Sequence, residues 1–483
     1  MDERAPLLRR TAEIAIEYLD GIGERHVGGT ASLEDLRAGL GGPMPDEPSD
    51  SASVIEALAA NADRGLVASA GPRYFGFVIG GGVPAALAAD WLTSAWDQNG
   101  FAYVMSPAGS VVEETAARWL LELWGLPPKA SVGFVTGVTM ANFSGLAAAR
   151  HEVLRRAGWD VEASGLVGAP EVHVLIGAEA HATVLASLQM LGLGRERVVR
   201  VAADDQGRMR ADALADTMAT LDGPTIVCAQ AGNVNTGAFD PFEPIVAAVR
   251  DRPNAWLHVD GAFGLWAAAS PERRFLCAGI AGADSWATDG HKWLNVPYDS
   301  GIVVVRDPVA HQAALTFGAS YYVPGGEGQR DGGNWVPDSS RRLRGFPVYA
   351  ALASLGRSGV ADLVDRCCRL ARRMAAGLDG QPGVAILNDI VLNQVLVRFS
   401  PPGDPPTGAD RDSGADDFTR RVIAAIQAEG TCWAGGTTWK GKAAMRISVS
   451  NWSTTDADAD RSVAAMLRCA RAVGEAAPVA LRR

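Results

Sequence analysis

Residues 255–270 read AWLHVDGAFGLWAAAS, and residues 283–301 read ADSWATDGHKWLNVPYDSG. Each opens with an apolar run of strand length, and each run ends in an acidic residue or leads to one: Asp260 in the first, Asp289 in the second. The same pattern extends outward. SVGFV (131–135), EVHVLIG (171–177), RVVRVA (197–202), PTIVCAQ (224–230) and GIVVVRD (301–307) are further short apolar runs, most followed by a segment of helix length. Continuous Val/Ile/Leu runs alternating with helices predict a mostly parallel seven-stranded sheet covered on both faces, an α/β architecture. Ligands on such sheets sit beyond the carboxyl ends of the strands, which gives weight to the polar residues that follow each run.

The flanks read differently. Residues 1–60 predict amphipathic helices around a loose Gly/Pro/Asp patch from Gly41 to Asp50, an arm too small to fold well alone. Pro84 opens a helix through Trp96. A second helix starts at Ser106-Pro107, a cap followed by proline at the first helical position, and stops at Gly125. A Gly-rich break spans Thr316 to Gly345, and a smaller α/β segment closes the chain, with strands near Gln394–Ser400 and Ala444–Ser450. Between them PPGDPPTGADRDSGAD (401–416) reads as a mobile surface linker. The expected organisation is an arm (1–70), a large domain (71–345) and a small C-terminal domain (346–483).

With 483 residues, 48% of them hydrophobic, the chain has ample material for a core, which excludes disorder. A net charge of −11 argues against nucleic acid as the main partner. No 18-residue apolar run occurs, and the charged start MDERAPLLRR is unlike a signal peptide, so no membrane partner and a cytoplasmic location are expected. The six cysteines (228, 277, 367, 368, 432, 469) form no CxxC pair, so neither a metal site nor a disulfide framework is expected. GTTWKGKA (436–443) imitates a phosphate-binding P-loop. It ends in Ala443 where a Mg²⁺-binding hydroxyl belongs and leads into a strand, so it is discarded.

Lysine is rarely left among Ala, Trp and Leu unless paired or reactive. Lys292 therefore has two readings. It is a strand-end lysine reaching for solvent, or a Schiff-base lysine whose partner Asp260 keeps a pyridine nitrogen protonated and makes a cofactor ring an electron sink.

HVDGAF, ADSW and above all DGHKWLNVPYDSG resemble the group II pyridoxal-phosphate-dependent decarboxylases, which include aromatic amino acid and glutamate decarboxylases. The resemblance covers residues 70–355 and continues more weakly to the C-terminus. It implies the type I, aspartate-aminotransferase-like fold, pyridoxal 5′-phosphate as cofactor, and a homodimer with active sites at the interface. It also implies roles for single residues. Lys292 carries the cofactor, Asp260 holds its ring nitrogen, and His181 stacks on the ring. Ala262 is the small residue on the opposite face. Val138 and Thr139 begin the helix whose free amides take the phosphate, an arrangement that helix N-termini favour. His291 contacts the phosphate beside Thr288 and Asp289, and Asn233 supports the cofactor. Arg446, in AMRISVSN, is the candidate for a substrate carboxylate, which a guanidinium fork fits bidentately. Phe77, Phe101 and Tyr103 fall near pocket-lining segments and suggest an apolar or aromatic substrate side chain; plain core is the competing role.

One departure bears on the product. The family carries a tyrosine on a mobile loop that returns a proton to Cα after CO₂ leaves. The corresponding stretch here, PGGEGQRDGGNWVPDSSRRLRG (324–345), holds none, although Tyr321 and Tyr322 lie just before it. Its glycines fit a flexible lid. Within the family, loss of that tyrosine accompanies oxygen-dependent decarboxylation–deamination to an aldehyde. The expected activity is decarboxylation of an L-amino acid. Aldehyde formation, an aminotransferase or lyase of the same fold, and a silent binding or assembly protein are the alternatives, the last opposed by the retention of His181, Asp260 and Lys292 together.

Overall fold

Parallel strands need long crossovers, and the helical segments between the apolar runs supply them. The computed structural model describes residues 4–318, 324–401 and 409–476. Seven strands form one sheet: β1 Ser131–Val135, β2 His173–Gly177, β3 Val199–Val201, β4 Thr225–Gln230, β5 Ala255–Asp260, β6 Ser285–Asp289 and β7 Gly301–Val305, in the order β1-β7-β6-β5-β4-β2-β3. The pairings among β2, β3, β4, β5 and β6 are parallel, and β7 is antiparallel to both its neighbours. Every apolar run expected to be a strand in this region is one. Two antiparallel pairings through β7 leave β1 running with β6. The carboxyl ends of β1, β2, β4, β5 and β6 therefore lie along one edge, and the register aligns Gln230 with Asp260 and Asp260 with Ala287.

The helix Val138–Arg156 follows β1 after a two-residue turn and buries Ala141, Leu146, Ala147, Ala148, Ala149 and Val153 against the sheet. Its approach depends on Gly145, where a Cβ would stand 2.9 Å from His258 Cε1. A side chain there would push the helix off β5. The helices Pro84–Trp96 and Pro107–Trp124 begin and end where the caps predicted, the second with Ser106 Oγ accepting from Gly109 N–H and Gly125 left-handed at its end.

Contact density divides the chain into two compact units, Gly80–Arg372 with Asn388–Val395, and Met1–Ile79 with Arg373–Leu387 and Leu396–Arg483. The second unit carries the helices Arg4–Gly21, Leu33–Leu40 and Ser51–Ala62 and centres on a four-stranded sheet. Its strands are β8 Val384–Ile386, β9 Gln394–Phe399, β10 Gly435–Trp439 and β11 Lys442–Ser448, in the order β10-β11-β9-β8. The P-loop look-alike is a two-residue hairpin here. Lys440 and Gly441 both have positive φ, the backbone of a type I′ turn joining β10 to β11.

Two expectations are corrected. The second half of the supposed linker opens the helix Ala409–Glu429, while residues 402–408 lie outside the described residues. The supposed lid is anchored from Arg330 onward. Arg341 is fully buried and donates to both oxygens of Glu113 at 2.6 Å, Arg330 donates to Val132 O, and Asp331 accepts from Tyr103 N–H and Gly325 N–H. Buried charges paired in this way cost too much to separate for the segment to swing freely. Among the described residues, no helix is long and apolar enough to cross a membrane.

Candidate active site

Four strand ends and one helix start supply the polar residues of the large unit's carboxyl edge. Asp260 is the last residue of β5 and is 3% exposed. Its Oδ1 accepts from Ala262 N–H at 3.1 Å, and its Oδ2 accepts from Asn142 Nδ2 at 3.3 Å. Ala262 O in turn accepts from Asp289 N–H at 2.9 Å and from Thr288 Oγ1 at 3.3 Å. The turn after β5 is thus stitched to the end of β6, which brings Asp260 and the Asp289–Lys292 segment together.

Lys292 sits in the turn after β6, its Nζ 2.8 Å from Asp289 Oδ2. Asp289 Oδ1 accepts from Val138 N–H at 2.5 Å, so this carboxylate caps the first amide of the helix Val138–Arg156. The next amides in that turn, on Thr139 and Met140, have no intrahelical acceptor by geometry. The end of this helix therefore presents donors of the kind that hold a phosphate. His291 stacks on Tyr298 at 4.2 Å, accepts from Ser300 N–H at Nδ1, and places Nε2 3.5 Å from Asp289 Oδ1. Burial pushes its pKa below the usual imidazole value, and the nearby Asp289 partly offsets that.

His181 caps the helix Ala182–Met190, with Nδ1 facing Thr183 Oγ1 at 2.8 Å and Thr183 N at 3.3 Å. A lysine amine, a buried carboxylate, an imidazole and a helix N-terminus on one edge form the donor set a phosphorylated pyridine aldehyde requires.

The family profile described as the pyridoxal-dependent decarboxylase conserved domain matches residues 34–400. The chain belongs to that family. It is 25% identical over 461 residues to an aromatic-L-amino-acid decarboxylase of Bacillus atrophaeus, covering 94% of this chain and 92% of that protein. It is 30% identical over 380 residues to an L-2,4-diaminobutyrate decarboxylase of Rhizobium meliloti, covering 77% and 72%. The fold matches the crystal structure of Oryza sativa TDC with PLP and tryptamine at a TM-score of 0.90, with 20% identity and 98% of each chain covered. This decarboxylase is thus a pyridoxal-phosphate enzyme of the type I fold, acting on an amino acid.

Not every expected residue serves as expected. Asn233 has no hydrogen-bonding group left for a ligand. Its Nδ2 donates to Glu179 O and Gln230 Oε1, and its Oδ1 accepts from the N–H groups of Asn235 and Thr236, shaping the turn after β4. Thr288 donates its one hydroxyl proton to Ala262 O, so it has none left for a phosphate oxygen. Val138 offers its N–H to Asp289 rather than to solvent.

Phe101 and Tyr103 are held to the anchored loop, Phe101 O accepting from Gly333 N–H and Tyr103 N–H donating to Asp331. Phe77 and Arg446 belong to the other unit. There Phe77 is 60% exposed and left-handed, stacked on Trp433 at 5.6 Å, with Tyr74 on the same indole at 5.0 Å. Arg446 lies on β11, and burial lowers its pKa from the usual guanidinium value.

Asn142, Thr183, His258 and Ser285 were missed by the sequence reading. A signal for two of them was present. His258 shares a strand face with Asp260 by the two-residue period, and Asn142 interrupts an otherwise small and apolar helix face.

Proposed function

We propose that this decarboxylase removes the Cα carboxylate of an aromatic or apolar L-amino acid, with Lys292 as the covalent anchor of its cofactor. The convergence of Lys292, Asp260 and His181 on one sheet edge carries this reading. Pyridoxal phosphate, when bound, supplies a conjugated ring that accepts the electron pair left by C–C cleavage. Asp260, held by Ala262 N–H and Asn142, would set a buried carboxylate at the ring nitrogen. His181 would cover one face of the bound ring, and Ala262 would leave room on the other. The first-turn amides at Thr139 and the His291 ring would hold the phosphate. Preorganised charge and orientation supply most of the barrier reduction.

The aromatic-L-amino-acid decarboxylase among the relatives supports an aromatic substrate. Arg446 is the proposed partner of the substrate carboxylate. Turnover of L-tryptophan, L-tyrosine, L-glutamate and L-2,4-diaminobutyrate, followed as CO₂ release, tests this. An aromatic substrate should lead by tenfold or more, and preference for either of the other two overturns it.

We further propose a homodimer, in the cytoplasm. Leu8, Ile16 and Leu19 on the first helix, and Trp91, Leu92 and Trp96 on the helix Pro84–Trp96, are exposed large apolar side chains that a second copy would cover. Light scattering should give twice the chain mass at assay concentration, and a strictly monomeric active protein contradicts this.

A further inference from the structure

A buried chain of hydrogen bonds runs through the large unit beneath the site, and the chemistry of its ends sets its direction. Trp256 Nε1 lies 2.9 Å from Ser285 Oγ, Ser285 Oγ 2.8 Å from His258 Nδ1, and His258 Nε2 2.9 Å from Asn142 Oδ1. Asn142 Nδ2 then lies 3.3 Å from Asp260 Oδ2 and 3.4 Å from Thr183 Oγ1, and Thr183 Oγ1 is 2.8 Å from His181 Nδ1. Trp256, Ser285, His258, Asn142 and Asp260 are all buried.

An indole N–H can only donate, and an ionised carboxylate can only accept. The side-chain nitrogen of Asn142 must therefore face Asp260, which turns its oxygen to His258. His258 then carries its proton on Nε2 and accepts from the Ser285 hydroxyl at Nδ1, leaving the Ser285 oxygen to accept from Trp256. Burial keeps His258 neutral, its pKa pushed down to about 3, as a single-proton relay position requires. The second N–H of Asn142 occupies Thr183 Oγ1, whose own proton is left for His181 Nδ1. Thr183 N–H also donates to that nitrogen. His181 is thereby held with its ring proton on Nε2.

We propose that Asn142 is a positioning residue whose one side-chain amide holds Asp260 and His181 in a fixed mutual orientation and fixes the tautomer of His181. The proposal rests on the reading of Asp260 and His181 as contacts of the cofactor ring. Asn142 contacts Asp260, Thr183 and His258 and acts through Asp260 and His181. Its single amide couples the charge at one position of the ring to the imidazole over its face, and the chain behind it prevents the amide from flipping.

Two measurements test this. Nitrogen-15 NMR of histidine-labelled protein, before and after cofactor loading, reads the tautomers directly. The expected result is a bare Nδ1 and a protonated Nε2 on both His181 and His258 in the wild type. A protonated Nδ1 on either overturns the proposal whatever the cofactor does. In the second measurement, Asn142→Leu should shift the visible absorption of the holoenzyme in the same direction as Asp260→Asn and weaken cofactor retention roughly ten- to a hundredfold, as loss of a hydrogen bond to a buried charge does. If Asp260→Asn shifts the spectrum while Asn142→Leu does not, the proposal fails and the ring reading stands. If neither shifts it, the ring reading itself fails, and the proposal with it. Should Asn142→Leu not fold, Thr183→Val cuts only the His181 branch. It should leave the His258 tautomer intact while broadening or mixing that of His181, and an unchanged His181 signal counts against the coupling.

Discussion

Asp289 holds Lys292 and the start of a helix with the same carboxylate: Oδ2 lies 2.8 Å from Lys292 Nζ, and Oδ1 accepts from Val138 N–H at 2.5 Å. The carboxylate is 1% exposed and the lysine side chain 16%, so solvent screens this pair little. The last residue of β6 thus orients the lysine and fixes the first turn of the helix Val138–Arg156 at once.

Substitution at Asp289 should separate the two roles. Asp289→Asn keeps an acceptor for Val138 N–H and loses the charge opposite Lys292. Asp289→Leu loses both and leaves a buried donor unpaired, a cost of about 1–3 kcal/mol. Urea denaturation of the cofactor-free protein should rank stability wild type, then Asn, then Leu. Equal stability of the two variants would show that the helix start does not depend on this cap.

Asp260→Asn should retain the fold, because its one amide oxygen can still accept from Ala262 N–H, while its amide nitrogen then faces Asn142 Nδ2 and that second contact is lost. The buried charge is lost, and kcat should fall by about 100-fold or more, the scale of removing a charge-assisted partner of about 3 kcal/mol. Near-wild-type kcat with normal cofactor content would make Asp260 a structural residue only.

The parallel sheet and the identity of its strand ends were readable from sequence because buried strands show as unbroken apolar runs, and Asp260 ends one of them while Lys292 stands just past another. The hydrogen-bond partners were not. The family resemblance makes Asn233 a cofactor contact, yet four local bonds consume its amide. The glycines of 324–345, Gly332 and Gly333 among them, read as fitting a flexible lid. In the fold a Cβ at Gly332 would meet Arg341 Nη2 at 2.2 Å and one at Gly333 would meet Phe101 Cδ2 at 2.1 Å, so they serve close packing. Glycine signals either freedom or lack of space, and sequence alone does not separate the two. The N-terminal helices, read as a separate arm, cluster in one unit with the C-terminal segments, a long-range relation that local patterns do not encode.

Burial keeps His258 and His311 neutral, each with its pKa pushed down to about 3. In the unfolded chain an imidazole titrates at about 6.5, so between these values the unfolded state binds the extra proton. Stability therefore falls on acidification through that window, by up to about 1.4 kcal/mol per pH unit for each histidine. Asp240, buried with its pKa raised to about 6, opposes this from its ordinary carboxylate value up to about pH 6, because there the folded state holds the extra proton. His311→Gln should flatten the dependence of unfolding free energy on pH between about 4 and 6 by the share of one histidine. An unchanged slope would show that His311 is not held neutral by burial.

Tyr321 and Tyr322 lie outside the described residues, and the product distribution tests them. With no tyrosine in residues 324–345, the wild type in air should release aldehyde, ammonia and peroxide beside the amine, the aldehyde share falling under nitrogen. A positioned general acid is worth about 10²–10⁴-fold, enough to redirect the outcome when absent. Amine alone in air, with a shift to aldehyde in Tyr321→Phe or Tyr322→Phe, would show that one of these hydroxyls delivers the proton. Amine alone in the wild type and both variants would show that the acid lies elsewhere.

The central claim is that Lys292 anchors the cofactor, and borohydride reduction of the holoenzyme followed by peptide mapping tests it most directly. The account predicts a stable pyridoxyl adduct on the peptide containing Lys292 and on no other, absent from Lys292→Ala. An adduct on a different lysine, or none after saturation with pyridoxal phosphate, would contradict it.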